Sequence, residues 1–465
     1  MAQAMWTFGR ERKRAVQIAR PWFSRPRLTY GWPMGSDIPF GFGNLGGDLP
    51  DPNDPRVQQM MQQLQQMMAQ SLSSGPVNWQ LAKQLAESEL ASENTVGPAD
   101  QAAVSEAVRL ADLWLDAATA WPSGVTATDA WTRKQWIDQT EASWKQLAEP
   151  LAGQMGEAMQ TLVPEEMSGM LGPMADLMKG VGSALFGAQM GQALAKLAGE
   201  VLSSTDVGLP LGKTGVAALL PNNVAAYAEG LELPVEEVRL FVALREAATH
   251  QLYTHAPWLR SHLLGALDAY AREIRIDESA IEEAMSEIDP TDPEAAATMD
   301  LSEVFKPEDT EQQKAALARL ATTLALVTGW INVVVAEAAD GRLPTIDRLL
   351  ESARRRRASG GPAEQTFEAL VGLQLDPTKV RAATRLWKSL GEARGIEGRE
   401  GVWAHPDLMP GASDLEHPEG FVTVSEAMGD LDMSMFDQLA VNDPRPPEED
   451  EGDEGDEGEA DKDKP

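Results

Sequence analysis

The chain has 465 residues, no cysteine, and 39 basic against 72 acidic side chains, a formal charge of −33. Without cysteine there is no disulfide framework, no Cys-ligated zinc, no iron–sulfur cluster and no thiol nucleophile. The acidity excludes broad nucleic-acid binding, which needs a basic face, while a hydrophobic content of 43% is ample for a core.

Charge is unevenly spread. Residues 1–33 carry seven Lys/Arg against Glu11 alone, a net +6, and residues 448–465 carry eleven acidic groups against two lysines, a net −9. No apolar run of signal-peptide length follows the early charges, because Arg20 and Pro21 interrupt it. Residues 1–55, basic and then rich in Gly and Pro, read as a disordered leader, with Met34 as an alternative start. Residues 426–465 read as a tail, strongly acidic and disordered from 443, because such a block repels itself and has nothing to bury.

Between these extensions, residues 56–425 read as one helical domain, with a division into two lobes near residue 204. Met60, Met61, Leu64, Met67 and Met68 make one apolar helix stripe, which Pro76 ends. Further helices are expected at about 78–92, 98–119, 128–148, 150–161 and 173–203, punctuated by Pro122, Pro150, Pro164 and Pro173. Trp114, Trp121, Trp131, Trp136 and Trp144 are spread over several of these helices and read as interhelix anchors. The uncharged stretch 180–195 contains four glycines and is shorter than the roughly 20 apolar residues of a membrane span. Its Gly187 and Gly191 form a GxxxG that suits a closely packed helix.

Residues 204–234 differ. Their glycines, prolines and the short run GVAALL make the best strand or hairpin candidate. Gly212-Lys213-Thr214 is not a phosphate loop, because position 207 is Val rather than Gly and Pro210 interrupts the segment. A helix at 234–257 follows, with Glu236 and Glu237 near its positive end, then a second from Trp258. After an acidic linker at 288–309 comes a long helix at 310–339. Its centre, LATTLALVTGWINVVV, has almost no polar face and is expected to be buried all round. RRRR at 354–357 marks a helix end, and 363–395 two further helices.

Of the five histidines, His250, His255 and His262 fall on the helix pair that starts at 234. Glu246 and His250, four apart, share a helix face. His255 lies about 140° further around an ideal helix and meets His250 at one centre only if the helix unwinds before Pro257. Glu246 with His250 is either a hydrogen-bonded core pair or part of a site. There is no HExxH and no GxSxG. His405, in VWAHPDLMP, reads as a turn histidine or a loop ligand.

The segment LLPNNVAAYAEGLELPVEEVRLFVALREAATHQLYTHAPWLRSHLLGALDAYA resembles the zincin-like metallopeptidases, type 2. The likeness extends through PFGFGNL, LALVTGWINVVV, RRRRASGGPAEQTFEALVGLQLDP and GREGVWAHPDLMPGASDLEHPEGF, roughly residues 38–422. The group is known as zinc-dependent metalloproteases or hydrolases, with a sister branch linked to deazaflavin-cofactor biosynthesis. The resemblance implies a mainly α, zincin-like domain with a minor β-hairpin or short sheet. It places His-Glu-x-x-His where this chain has Arg245-Glu246-Ala247-Ala248-Thr249, and a Glu where Thr328 stands. Only Glu246, the general-base position, carries over.

Two readings follow. In the first, a metallopeptidase-like hydrolase holds zinc through His250 and His255 plus a distant carboxylate or His405, and Glu246 activates the bound water. In the second, an inactive zincin fold serves as a scaffold or interaction protein with a peptide or protein partner. The missing ligands weigh against zinc, and no nucleotide, haem or iron–sulfur cluster is expected. The chain is expected to be cytoplasmic, without a transmembrane segment.

Overall fold

The computed structural model describes residues 75–161, 172–273, 310–371, 373 and 375–429. All belong to one compact unit, residues 59–274 with 309–465. The expected leader, Met stripe, acidic linker and acidic end of the tail lie outside the described residues.

The architecture is mainly α. In chain order the elements are α1 (Trp79–Glu89), α2 (Pro98–Leu115), β1 (Ala127–Ala130), α3 (Arg133–Thr161), α4 (Gly172–Glu200), β2 (Val216–Leu219), α5 (Pro221–Leu231) and α6 (Val235–His255). Then come α7 (Trp258–Ala271), α8 (Glu311–Ala339), α9 (Ile346–Ala358), α10 (Pro362–Val371), α11 (Pro377–Gly401), α12 (Ala412–Glu416) and α13 (Pro418–Gly429).

Local chemistry explains several boundaries. Asn78 caps α1 by accepting from Leu81 N at 3.0 Å. Thr310 and Gln313 form a reciprocal capping box at the start of α8. Asp376 caps α11 ahead of Pro377. Inside α11 the backbone kinks at Gly395, whose φ of 71° suits glycine.

GVAALL does hold a strand, but not a hairpin. β2 pairs in parallel with β1, Ala127 opposite Val216 through Ala130 opposite Leu219. β1 falls where the helix at 128–148 is expected to begin, so that helix starts later, at Arg133. Its four residues, ATDA, lack a β-branched apolar signal, and partner rather than propensity decides the outcome.

Pro150 does not divide α3 either. The helix runs through it to Thr161. A proline inside a helix costs about 3 kcal/mol through its missing N–H and ring clash. That is offset by the side chains α3 buries, among them Trp136, Trp144, Leu147 and Leu151. Trp136 and Trp144 meet edge to face at 6.1 Å.

Close backbone approach places the other helices. Gly187 and Gly191 seat α4 against α1, where a Cβ at either position would collide with the backbone oxygen of Asn78 or Ala82. Gly329 seats α8 against α11, where a Cβ would lie 2.7 Å from that of Ala383. As expected, the apolar centre of α8 is buried, and the helix packs on α11, α7 and α6. It is long and apolar enough to cross a membrane, yet 83% of its apolar window is buried inside the protein. No other helix among the described residues passes that test.

Two substitutions with opposite signs test this packing. Pro150→Ala restores a backbone hydrogen bond and should raise stability in urea by about 1–3 kcal/mol. Gly329→Ala gains about 1 kcal/mol of helix propensity but forces α8 from α11, and should lower stability by about 1–3 kcal/mol net.

Candidate functional site

The site is built on α6. Glu236 and Glu237 in its first turn and His255 in its last complement the helix dipole. From Phe241 to Leu252 every residue except Arg245 is buried. The helix packs against α2, α5, α8 and β2.

Glu246 has no exposed surface. Its Oε1 accepts from Ser204 Oγ in a very short hydrogen bond, from Ala218 N at 3.1 Å, and lies 3.3 Å from His250 Nε2. Its Oε2 accepts from Thr205 N at 3.1 Å and Thr205 Oγ1 at 2.6 Å. Ser204 and Thr205 lie in the connection between α4 and β2, and Ala218 lies in β2. One carboxylate thus ties three segments together. Burial alone would raise its pKa, but the bond and charge of His250 and the hydroxyls of Ser204 and Thr205 hold it below the ordinary value. The ionised carboxylate only accepts, so His250 presents its Nε2–H to it.

His250 is 3% exposed. The charge of Asp112 on α2 interacts with it, and burial raises the Asp112 carboxyl pKa. The 121–124 loop lies across α6 at this level. A Cβ on Gly124 would fall 2.5 Å from the His250 carbonyl oxygen, so glycine permits the approach. Gln251 Nε2 donates to the carbonyls of Trp121 and Pro122.

His255 faces elsewhere. The helix does not unwind before Pro257 but continues through His255. The His255 Nε2 lies 3.2 Å from Pro122 O, and its ring stacks on Trp121 at 5.2 Å and 13°. Trp121 in turn packs on Trp330 of α8. The structure therefore joins His250 to Glu246 and turns His255 to the loop. His405 is distant in role as well, its Nδ1 accepting from Asp407 N at 3.2 Å to cap a short turn. His262 sets its ring edge-on to Trp258 at 5.7 Å, with a pKa lowered by burial and by Arg319.

The donor set does not suit zinc. Among the described residues no three His, Cys, Asp or Glu side chains come together as a metal site. The positions where the resemblance leads one to expect two His and a Glu hold Arg245, Thr249 and Thr328. Arg245 Nη1 donates to Asn332 Oδ1 at 2.8 Å, one turn beyond Thr328 on α8. The Thr249 hydroxyl is turned to the Arg245 carbonyl at 2.8 Å. A guanidinium, itself a cation, repels a metal where a ligand would attract one.

Several residues of this region carry no signal in the sequence. Ser204, Thr205 and Ala218 reach Glu246 from 42, 41 and 28 residues away. Arg399 and Glu400 of α11 are likewise buried, Arg399 donating to Glu337 at 2.8 Å, to Ala118 O at 2.6 Å and to Glu400 at 3.1 Å. Burial pushes Glu400 up to about 7.

Comparison with known proteins places this arrangement. A solved structure from Chloroflexus aurantiacus, described as a putative hydrolase with a novel fold, superposes with a TM-score of 0.53 at 19% identity, covering 75% of this chain and 99% of that one. At that identity the likeness shows the fold alone. No curated protein matches the chain. The family model described as zincin-like metallopeptidase matches residues 77–422, the span that contains α1 through the start of α13. By that match, the chain belongs to the zincin-like metallopeptidase family.

Proposed function

We propose that this protein keeps the zincin fold without zincin catalysis and works as a helical scaffold or interaction protein. The observation that carries the proposal is the state of Glu246. In a working metallopeptidase that carboxylate faces a metal-bound water. Here it faces donors from Ser204, Thr205, Ala218 and His250, with no exposed surface.

Magnitudes decide against its use as a base. A hydrogen bond to a charged group is worth about 1.5–3 kcal/mol. Releasing three or more of them would take a large share of the roughly 5–15 kcal/mol that holds a domain folded. Replacement of the motif histidines by Arg245 and Thr249 points the same way. The partner is a peptide or protein, with the Met stripe at 60–68 and the acidic tail as the contact segments that the sequence offers.

Metal content of the full chain, purified without a His-tag or chelator, tests the proposal. The expected result is no stoichiometric metal, even after zinc is offered, and no hydrolysis of a peptide library. About one zinc per chain, lost in His250→Ala together with a metal-dependent hydrolysis, would overturn it.

A further inference from the structure

Arg245 opens onto a cleft of about 40 Å³. α6 supplies Phe241 and Arg245 to its wall and the end of α9 supplies Arg356 and Arg357, with Asp206, Tyr227 and Glu364 also among its lining. At about 10–15 Å³ per water, the space holds about three waters or one compact oxyanion.

Three guanidinium groups meet here, and two of them have carboxylate partners. Arg356 pairs with Asp206 at 2.8 Å, donates to Glu200 O and lies over the Tyr227 ring at 5.6 Å. Arg357 pairs with Glu364 at 3.3 Å. Arg245 has a single hydrogen bond, to the neutral Asn332, and no carboxylate within ion-pair distance among the described residues. A guanidinium offers five N–H donors, so most of its capacity is unspent. The nearby carboxylates are already taken: Asp206 by Arg356, and Glu200 by Gln365 at 2.8 Å. Burial and the neighbouring Arg357 lower the Arg245 pKa to about 10, which still leaves it cationic at neutral pH. Arg245 is thus a partly buried cation whose neighbouring counter-charge, Asp206, is already ion-paired with Arg356, and its unspent donors call for an anion from outside.

We propose that this cleft binds a small oxyanion, the carboxylate or phosphoryl group of a ligand, with Arg245 as principal donor and Arg356 and Arg357 completing a positive wall. Planar forked donors suit both groups, and the cavity admits only a compact one. The site stands independently of the scaffold reading, since neither Glu246 nor a metal takes part.

The test is calorimetric titration of the full chain with sodium phosphate and, separately, sodium acetate, at ionic strength fixed with chloride. Saturable binding of at least one anion is expected. It should weaken about tenfold or more in Arg245→Met, by the loss of one charge-assisted contact. It should be unchanged in Arg354→Met, whose side chain is 55% exposed on the same α9 helix. Response to phosphate alone assigns a phosphoryl ligand, and to acetate alone a carboxylate. Should Arg245→Met not fold, Arg357→Gln gives the reading, with an expected loss of severalfold. Absence of saturable binding of either anion, or binding unaltered in the folded cleft variants, would overturn the proposal.

Discussion

The fold around α6 depends on one buried carboxylate. Glu246 accepts hydrogen bonds from the connection after α4, from β2 and from its own helix one turn on, and no solvent reaches it. An isolated carboxylate in such a place would neutralise. Here enough donors converge to keep it ionised, so the charge becomes a fastener between the two-stranded sheet and the helical core. α8 packs on α6, and the 121–124 loop lies across it, admitted by Gly124 and held by Gln251, which donates to the carbonyls of Trp121 and Pro122.

The same anchor accounts for what the motif has become. The resemblance leads one to expect metal-binding His immediately before and three residues after this Glu. Arg245 and Thr249 instead make contacts inside the protein, to Asn332 and to the helix backbone. The exchange is coherent. The Arg245 guanidinium puts a positive charge between α6 and α8, bonded to Asn332. Its unspent donors face a small cleft rather than a catalytic water.

Much of this was legible in the sequence, and the limits have physical causes. Apolar periodicity and Pro punctuation locate α2, α6 and α8 and anticipate two helices over 363–395, where α10 and α11 stand, because helix signals are local. The unbroken apolar centre of α8 correctly implies burial, and the GxxxG of α4 correctly implies close packing. Glu246 and His250 share a face, as their spacing requires. β1 was not legible, because ATDA becomes a strand only against a partner 89 residues later. Pro150 misleads because tertiary burial outweighs a local penalty. The partners of Glu246 and the guanidinium group around Asp206 are tertiary facts, set by chain segments that meet only in the folded protein.

The substitution Glu246→Gln, measured by urea denaturation as a function of pH, tests the central claim most directly. The amide would present a donor to a backbone N–H of Ala218 or Thr205 that cannot turn away. A loss of about 2–4 kcal/mol at pH 7 is therefore expected. Because folding depresses the carboxyl pKa, the advantage of the wild type is fully present above the unfolded value near ~4.3. It should shrink as pH falls through the folded value. A variant as stable as the wild type at every pH, but stripped of a metal-dependent hydrolysis, would contradict the account and return Glu246 to the role of a catalytic base.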